Sequence, residues 1–185
     1  MKKRIQYFNI VEIALALAIV GIGVAGIMSL FPVALNASRD SVGDNNAPDV
    51  AEQFMAYTNG MLLSTAAPDW TSLINNIPDT TTRPDDSSAS WDDSKTLGNI
   101  TPSSNCITSG LYRVLQKSGD IADFSGVVWV RRAQIPNFYL EGQSATVPYI
   151  LGLGLYVEVS WPMEKPYVQR EKRIYYLEIF NPYAD

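Results

Sequence analysis

The sequence predicts an α+β protein, with a long N-terminal transmembrane helix whose outer part packs on a C-terminal antiparallel β-sheet. Three observations carry this expectation. Phe8 to Ala37 is an apolar run interrupted by one charge, Glu12. Val50, Phe54, Tyr57 and Met61 recur at helical spacing. Leu155, Val157, Val159 and Trp161, then Tyr175, Leu177 and Ile179, stand at every second position, which is the period of a strand with one buried face.

The elements follow in order. Residues 1–7 carry Lys2, Lys3 and Arg4. Residues 8–37 form an apolar stretch long enough to cross a bilayer, at about 1.5 Å per residue against ~30 Å of hydrocarbon. The run is about twice the ~7–15 residues of a secretory signal core. The basic cluster on one side only sets the orientation: residues 1–7 lie in the cytoplasm and the rest of the chain lies outside. Ala14, Ala18, Gly21 and Ala25 are spaced four, three and four apart, so they form one stripe of small side chains along which helices can approach closely. Pro32 cannot donate to the Met28 carbonyl and is expected to kink the helix. Glu12 is costly in hydrocarbon unless it sits at the interface near the helix N-terminus or meets a cation.

Residues 38–63 read as an outer helical segment. Its break signal is Asn45-Asn46-Ala47-Pro48-Asp49, after which helix resumes from Asp49 to about Leu63 and lays Phe54, Tyr57 and Met61 on the sheet. Residues 64–105 turn to Ser, Thr, Asp, Asn and Pro and read as a polar, loop-rich excursion with a short helix near Trp70–Ile77. Asp85-Asp86 and Asp92-Asp93 offer hard oxygen atoms, but their spacing matches no EF-hand loop. Residues 106–185 are β-rich: short runs at Leu111–Leu115, Val127–Arg131 and Asn137–Leu140 precede the final hairpin, whose turn lies in Pro162–Lys172.

Composition narrows the function. The chain has 185 residues, a net charge of −5 and no histidine. The acidic balance gives no basic footprint for nucleic acid. Lack of histidine removes the commonest general base and zinc ligand. Cys106 is the single cysteine, so no intrachain disulfide can form. No cofactor, metal site or catalytic constellation is expected, and an anchored enzyme is the weakest reading.

Phe8-Asn9-Ile10-Val11-Glu12, followed by Ile13-Ala14-Leu15-Ala16-Leu17-Ala18-Ile19-Val20-Gly21-Ile22-Gly23, resembles the N-terminal cleavage and methylation motif of type IV pilins and type II secretion pseudopilins. The resemblance implies a leader of residues 1–7, removed by a prepilin peptidase between Tyr7 and Phe8, and methylation of the new Phe8 amine. Tyr7 stands where the family has Gly. The resemblance also gives Glu12 a role: it pairs with the cationic Phe8 amine of a neighbouring subunit and so fixes axial register in a filament. The Val157–Pro162 strand end with its basic turn is similar to minor pseudopilins. The implied protein is a non-catalytic minor pilin or pseudopilin, single-pass in the inner membrane, with its C-terminal domain periplasmic. Its partners would be other pilin or pseudopilin subunits and the peptidase, in a filament for secretion, adhesion or DNA uptake. The alternative is a membrane-anchored extracytoplasmic binding domain that does not polymerise.

Overall fold

The computed structural model describes residues 9–63, 67–118, 121–135, 138–140 and 143–184. The chain divides into two compact units, Met1–Ser41 and Val42–Asp185.

In the first unit, helix α1 (Ile10–Leu63 in full) starts at Asn9. The Asn9 carbonyl accepts from the Glu12 and Ile13 amides at 2.9 and 3.2 Å, closing the first turn. From Ile10 to Ala37 this part of α1 is exposed and carries one charge, Glu12, and α1 is the one helix among the described residues long and apolar enough to cross a membrane. A helix of that composition has no water-facing side, so its exposed surface needs lipid or other helices around it.

In the second unit, α1 runs on through Asn45-Asn46-Ala47-Pro48 without losing its helical state, although the sequence signals a restart there. The Asn46 side-chain amide donates back to the Val42 carbonyl at 2.8 Å, inside the helix, where it does not act as a cap. Gly43, Ala47, Val50, Ala51 and Phe54 are buried at the same place. Tertiary burial supplies most helical stability in proteins, and here it overrides the local stop signal.

The sheet has five strands, all antiparallel, in the order β1-β2-β3-β6-β7. They are β1 (Ile100–Pro102), β2 (Leu111–Ser118), β3 (Ile121–Ala133), β6 (Gly152–Trp161) and β7 (Glu171–Phe180). Strands β4 (Phe138–Leu140) and β5 (Gln143–Ala145) make a separate small hairpin between β3 and β6. The final hairpin holds the alternation that the sequence shows: Leu155 pairs with Leu177, Val157 with Tyr175 and Leu153 with Ile179. These residues share one face, and α1 covers it through Ala47, Val50, Ala51, Phe54 and Leu62.

Among the described residues the unit has two further α-helices. Helix α2 (Ala67–Asn75) lies in the segment read as a polar excursion, yet it adds Trp70 and Ile74 to the same core, and Ile77 follows them. The Trp70 indole donates to the Tyr149 carbonyl at 2.9 Å, so this buried aromatic has its polar atom satisfied. A single-turn helix α3 (Cys106–Ser109) ends on Gly110 at φ 64°, the left-handed cap that glycine provides without strain.

The opposite face of the sheet is also covered. Leu111, Val127 and Trp129 form a second cluster there, with Trp91 and Met163 against it. Alternation in β6 therefore does not separate a dry face from a wet one. Glu158 and Ser160 look solvent-facing in sequence but are buried. Ser160 donates to the Val127 carbonyl at 3.1 Å, and Glu158 takes charged and phenolic partners described below.

Candidate functional site

The residues read in sequence as the assembly site lie in the first unit, apart from the cleft described below. Tyr7 and Phe8 lie outside the described residues. Glu12 sits in the first turn of α1, where the helix dipole favours an anion. Ala14, Ala18, Gly21 and Ala25 are all exposed, and nothing lies within 4 Å of a Cβ built on Gly21. The stripe thus has no partner within the first unit. Pro32 lies inside α1.

In the acidic pairs of the 85–93 segment, Asp85 and Asp92 take local partners, Asp86 and Asp93 distant ones as well. Asp85 accepts from the Ser87 amide at 2.9 Å and from its hydroxyl at 2.8 Å, and those bonds hold its carboxyl below the usual range. Asp92 accepts from the Ser94 amide at 3.2 Å and pairs with Lys95, also at 3.2 Å. Asp93 pairs with Arg113 at 2.6 Å. Among the described residues, no group of three or more His, Cys, Asp or Glu could hold a metal ion.

Asp86 belongs to something the sequence did not disclose, a buried ionic clasp. Arg83 donates to its carboxylate at 2.8 Å, and Arg170 donates to the same oxygen. The Arg83 Nε also faces Glu158 on β6 at 3.3 Å, and Glu158 accepts from the Tyr167 hydroxyl at 2.9 Å. The Arg83 guanidinium lies over the Tyr167 ring, 4.0 Å from its centroid. Arg170 donates besides to the carbonyls of Lys165 and Met163, at 2.7 and 2.9 Å. Two arginines and two carboxylates thus balance in charge and bind the 83–86 segment and the 162–170 turn onto β6. Burial pushes the Asp86 carboxyl up, but the two guanidiniums outweigh it and hold the group below its ordinary value. Such a clasp fixes two loops.

The second unit also carries a cleft of about 790 Å³ between α1, β1, β2 and the α3 turn. Its walls include Phe54, Tyr57, Leu97, Ile107 and Tyr112. Phe54, Tyr57 and Met61, on one helical face as their spacing requires, all line this cleft, but at different depths. Phe54 is in the core, stacked edge-on to Tyr112 at 5.0 Å, whereas Tyr57 is 61 % exposed at the rim. Burial, then the neighbouring Cys106 and Tyr57, push the Tyr112 phenol up to about 12, so it remains a hydrogen-bond donor throughout the physiological range. Comparison of the chain with known protein families, curated proteins and solved structures finds no match.

Proposed function

We propose that the chain is a non-catalytic minor subunit of a type IV pilus-like or type II secretion filament, held in the inner membrane by residues 8–37 until it is assembled. One observation carries the reading. Between Ile10 and Ala37 the first unit presents an apolar helix with Glu12 as its one acid and an exposed stripe at Ala14, Ala18, Gly21 and Ala25, none of it buried among the described residues. The resemblance of residues 8–23 to the prepilin motif gives that surface a partner, the same helix of neighbouring subunits. A prepilin peptidase would cut after Tyr7. In low dielectric Glu12 then answers the Phe8 amine of the next subunit, and a mis-registered neighbour leaves a buried charge unpaired. Burying small residues at the stripe lets helix backbones approach where no hydrophobic drive exists.

The test is substitution of Glu12 with N-terminal sequencing. Glu12→Gln should still fractionate with membranes yet fail to co-purify with filament subunits, and the assembled wild-type protein should begin at Phe8. A Glu12→Gln protein that enters filaments at the wild-type level overturns the reading. The second reading, an anchored extracytoplasmic binding domain, is favoured by Tyr7 at the position of the family's Gly and by the cleft. It requires an uncut chain and a dispensable Glu12.

A further inference from the structure

The two ends of the sheet differ. At one end stands β1, three residues that finish on a proline, with single bridges from Leu97 to Ile100 and from Trp91 to Ser103 beside it. At the other stands β7, ten residues without a proline, in unbroken register with β6 from Glu171 to Phe180. No further strand follows β7 in the sheet among the described residues. The Asn181 amide donates to the Leu151 carbonyl at 2.8 Å, and this bond sets the phase of the ladder. Odd-numbered positions of β7 turn their backbone groups to β6, so Lys172, Ile174, Tyr176, Glu178 and Phe180 turn theirs away. Of these groups the Lys172 carbonyl accepts from the Arg173 guanidinium, at 3.3 Å. Proteins blunt a long edge with proline, a bulge or central charges, and β7 has none of these between Ile174 and Leu177.

The backbone defines the occupant. Outward amides and carbonyls recur at every second residue, about 7 Å apart at ~3.4 Å per residue. An extended polypeptide matches that repeat, and an acyl chain or a compact ligand does not. Side chains at the same positions add selectivity. Ile174 is 65 % exposed, with Tyr176 and Phe180 exposed along the strand from it. Lys172 and Glu178 flank this apolar stretch. The Lys172 ammonium lies 4.3 Å from the centroid of the Tyr167 ring, and Glu178 accepts from the Tyr176 hydroxyl at 3.2 Å, contacts that neutralise neither charge. An antiparallel strand, the pairing used throughout this sheet, would set a base opposite Glu178 and, six residues later, an acid opposite Lys172.

We propose that β7 is a docking edge, which an extended segment of another protein lengthens by one antiparallel strand. The segment carries a basic residue, apolar residues two and four places on, and an acidic residue six places on. β7 itself has this order from Lys172 to Glu178, but chain direction speaks against a second copy. Asp44 pairs with Arg173 at 3.0 Å, and the Leu63 carbonyl accepts from the Tyr183 hydroxyl at 3.5 Å, so α1 runs beside β7 in the same direction. Two-fold pairing of β7 with itself would turn the two Val42 ends to opposite ends of the joined sheet. Both ends lead in sequence to the apolar run, which two chains in one bilayer enter from the same side. The inference concerns the second unit and does not rest on the filament reading, so either can fail alone.

The experiment uses the full-length protein in lipid nanodiscs, with empty nanodiscs as baseline. The probe is a fluorescent peptide with the core Lys-Thr-Val-Thr-Val-Thr-Glu, read by anisotropy. It should bind saturably, and about threefold or more tighter than the same core with Lys and Glu exchanged. The double variant Lys172→Glu, Glu178→Lys should reverse that order, which loss of folding would not mimic. N-methylation of the two valines, whose amides would face β7, should abolish binding, while N-methylation of the threonines between them should spare it. Absence of saturable binding, indifference to the methylated valines, or a charge order that survives the double swap overturns the proposal. So does a dimer of the detergent-solubilised chain that the peptide dissociates, because the occupant would then be a second copy.

Discussion

A Cβ built on Gly43 would overlap the indole of Trp161, the last residue of β6, so at this point α1 meets the sheet with no room for a side chain. Both residues are buried, and the Trp161 indole nitrogen has no hydrogen-bond partner, because it is pressed against the helix. Gly43→Ala should therefore lower stability by about 1–3 kcal/mol through overpacking. The same change should cost much less in a Trp161→Leu background, where the indole is gone. Thermal melts of the two single variants and the double variant give the coupling; additive effects would mean that the helix and the indole do not meet. Nothing in the sequence marks Gly43. It stands among polar helix residues with no neighbouring motif, and a close approach between two distant segments leaves no local trace. Glu12 is the contrary case, legible because one acid in a long apolar run is conspicuous with or without a fold.

Among the elements, α1 and the β6–β7 hairpin were legible because each buries a face at a fixed period, and the period survives in the residue order. Of the 67–105 segment only the short helix near Trp70–Ile77 was legible, not its place in the core. The segment supplies Trp70, Ile74 and Ile77 to the core and Asp86 to the clasp, but its apolar residues are too few and too scattered to show a period. The clasp was hidden for a related reason: Arg83, Asp86, Glu158 and Arg170 are ordinary surface types until the fold buries them together. Its worth can be measured. Replacing one member strands the others, so Asp86→Asn should cost about 3–5 kcal/mol, the usual range for breaking a buried ion pair. The sign with pH follows from the held-down carboxyl. Its folded value lies below the ordinary 3.8, so its contribution is complete above that pH and is lost as pH falls through the folded value. Denaturant midpoints of the wild type should drop below about pH 4, and Asp86→Asn should flatten that part of the profile. A variant with the wild-type acid limb would show that other carboxylates govern it.

At the scale of the molecule the question is whether the two units depend on each other for stability. Every buried residue of α1 lies between Gly43 and Leu62, and the core clusters draw on nothing before Ala47. Residues 10–41 therefore contribute no core, and their exposed apolar surface is a solubility burden in water. Cutting the chain before Ser41 should remove that burden at small cost. The new helix end loses the turns that precede it, but the Ser41 hydroxyl can cap it, a contribution of about 1 kcal/mol. The 41–185 fragment should be a soluble monomer whose urea midpoint matches that of the full-length protein in nanodiscs, while the full-length protein should stay with the membrane through alkaline carbonate washing. A fragment that unfolds or aggregates would show that the first unit is part of the fold, and release of the intact chain by carbonate would show that it is no anchor. If both results come out as expected, the long helix is continuous in residue order and divided in its work, with lipid or neighbouring subunits for its first half and the protein's own sheet for its second.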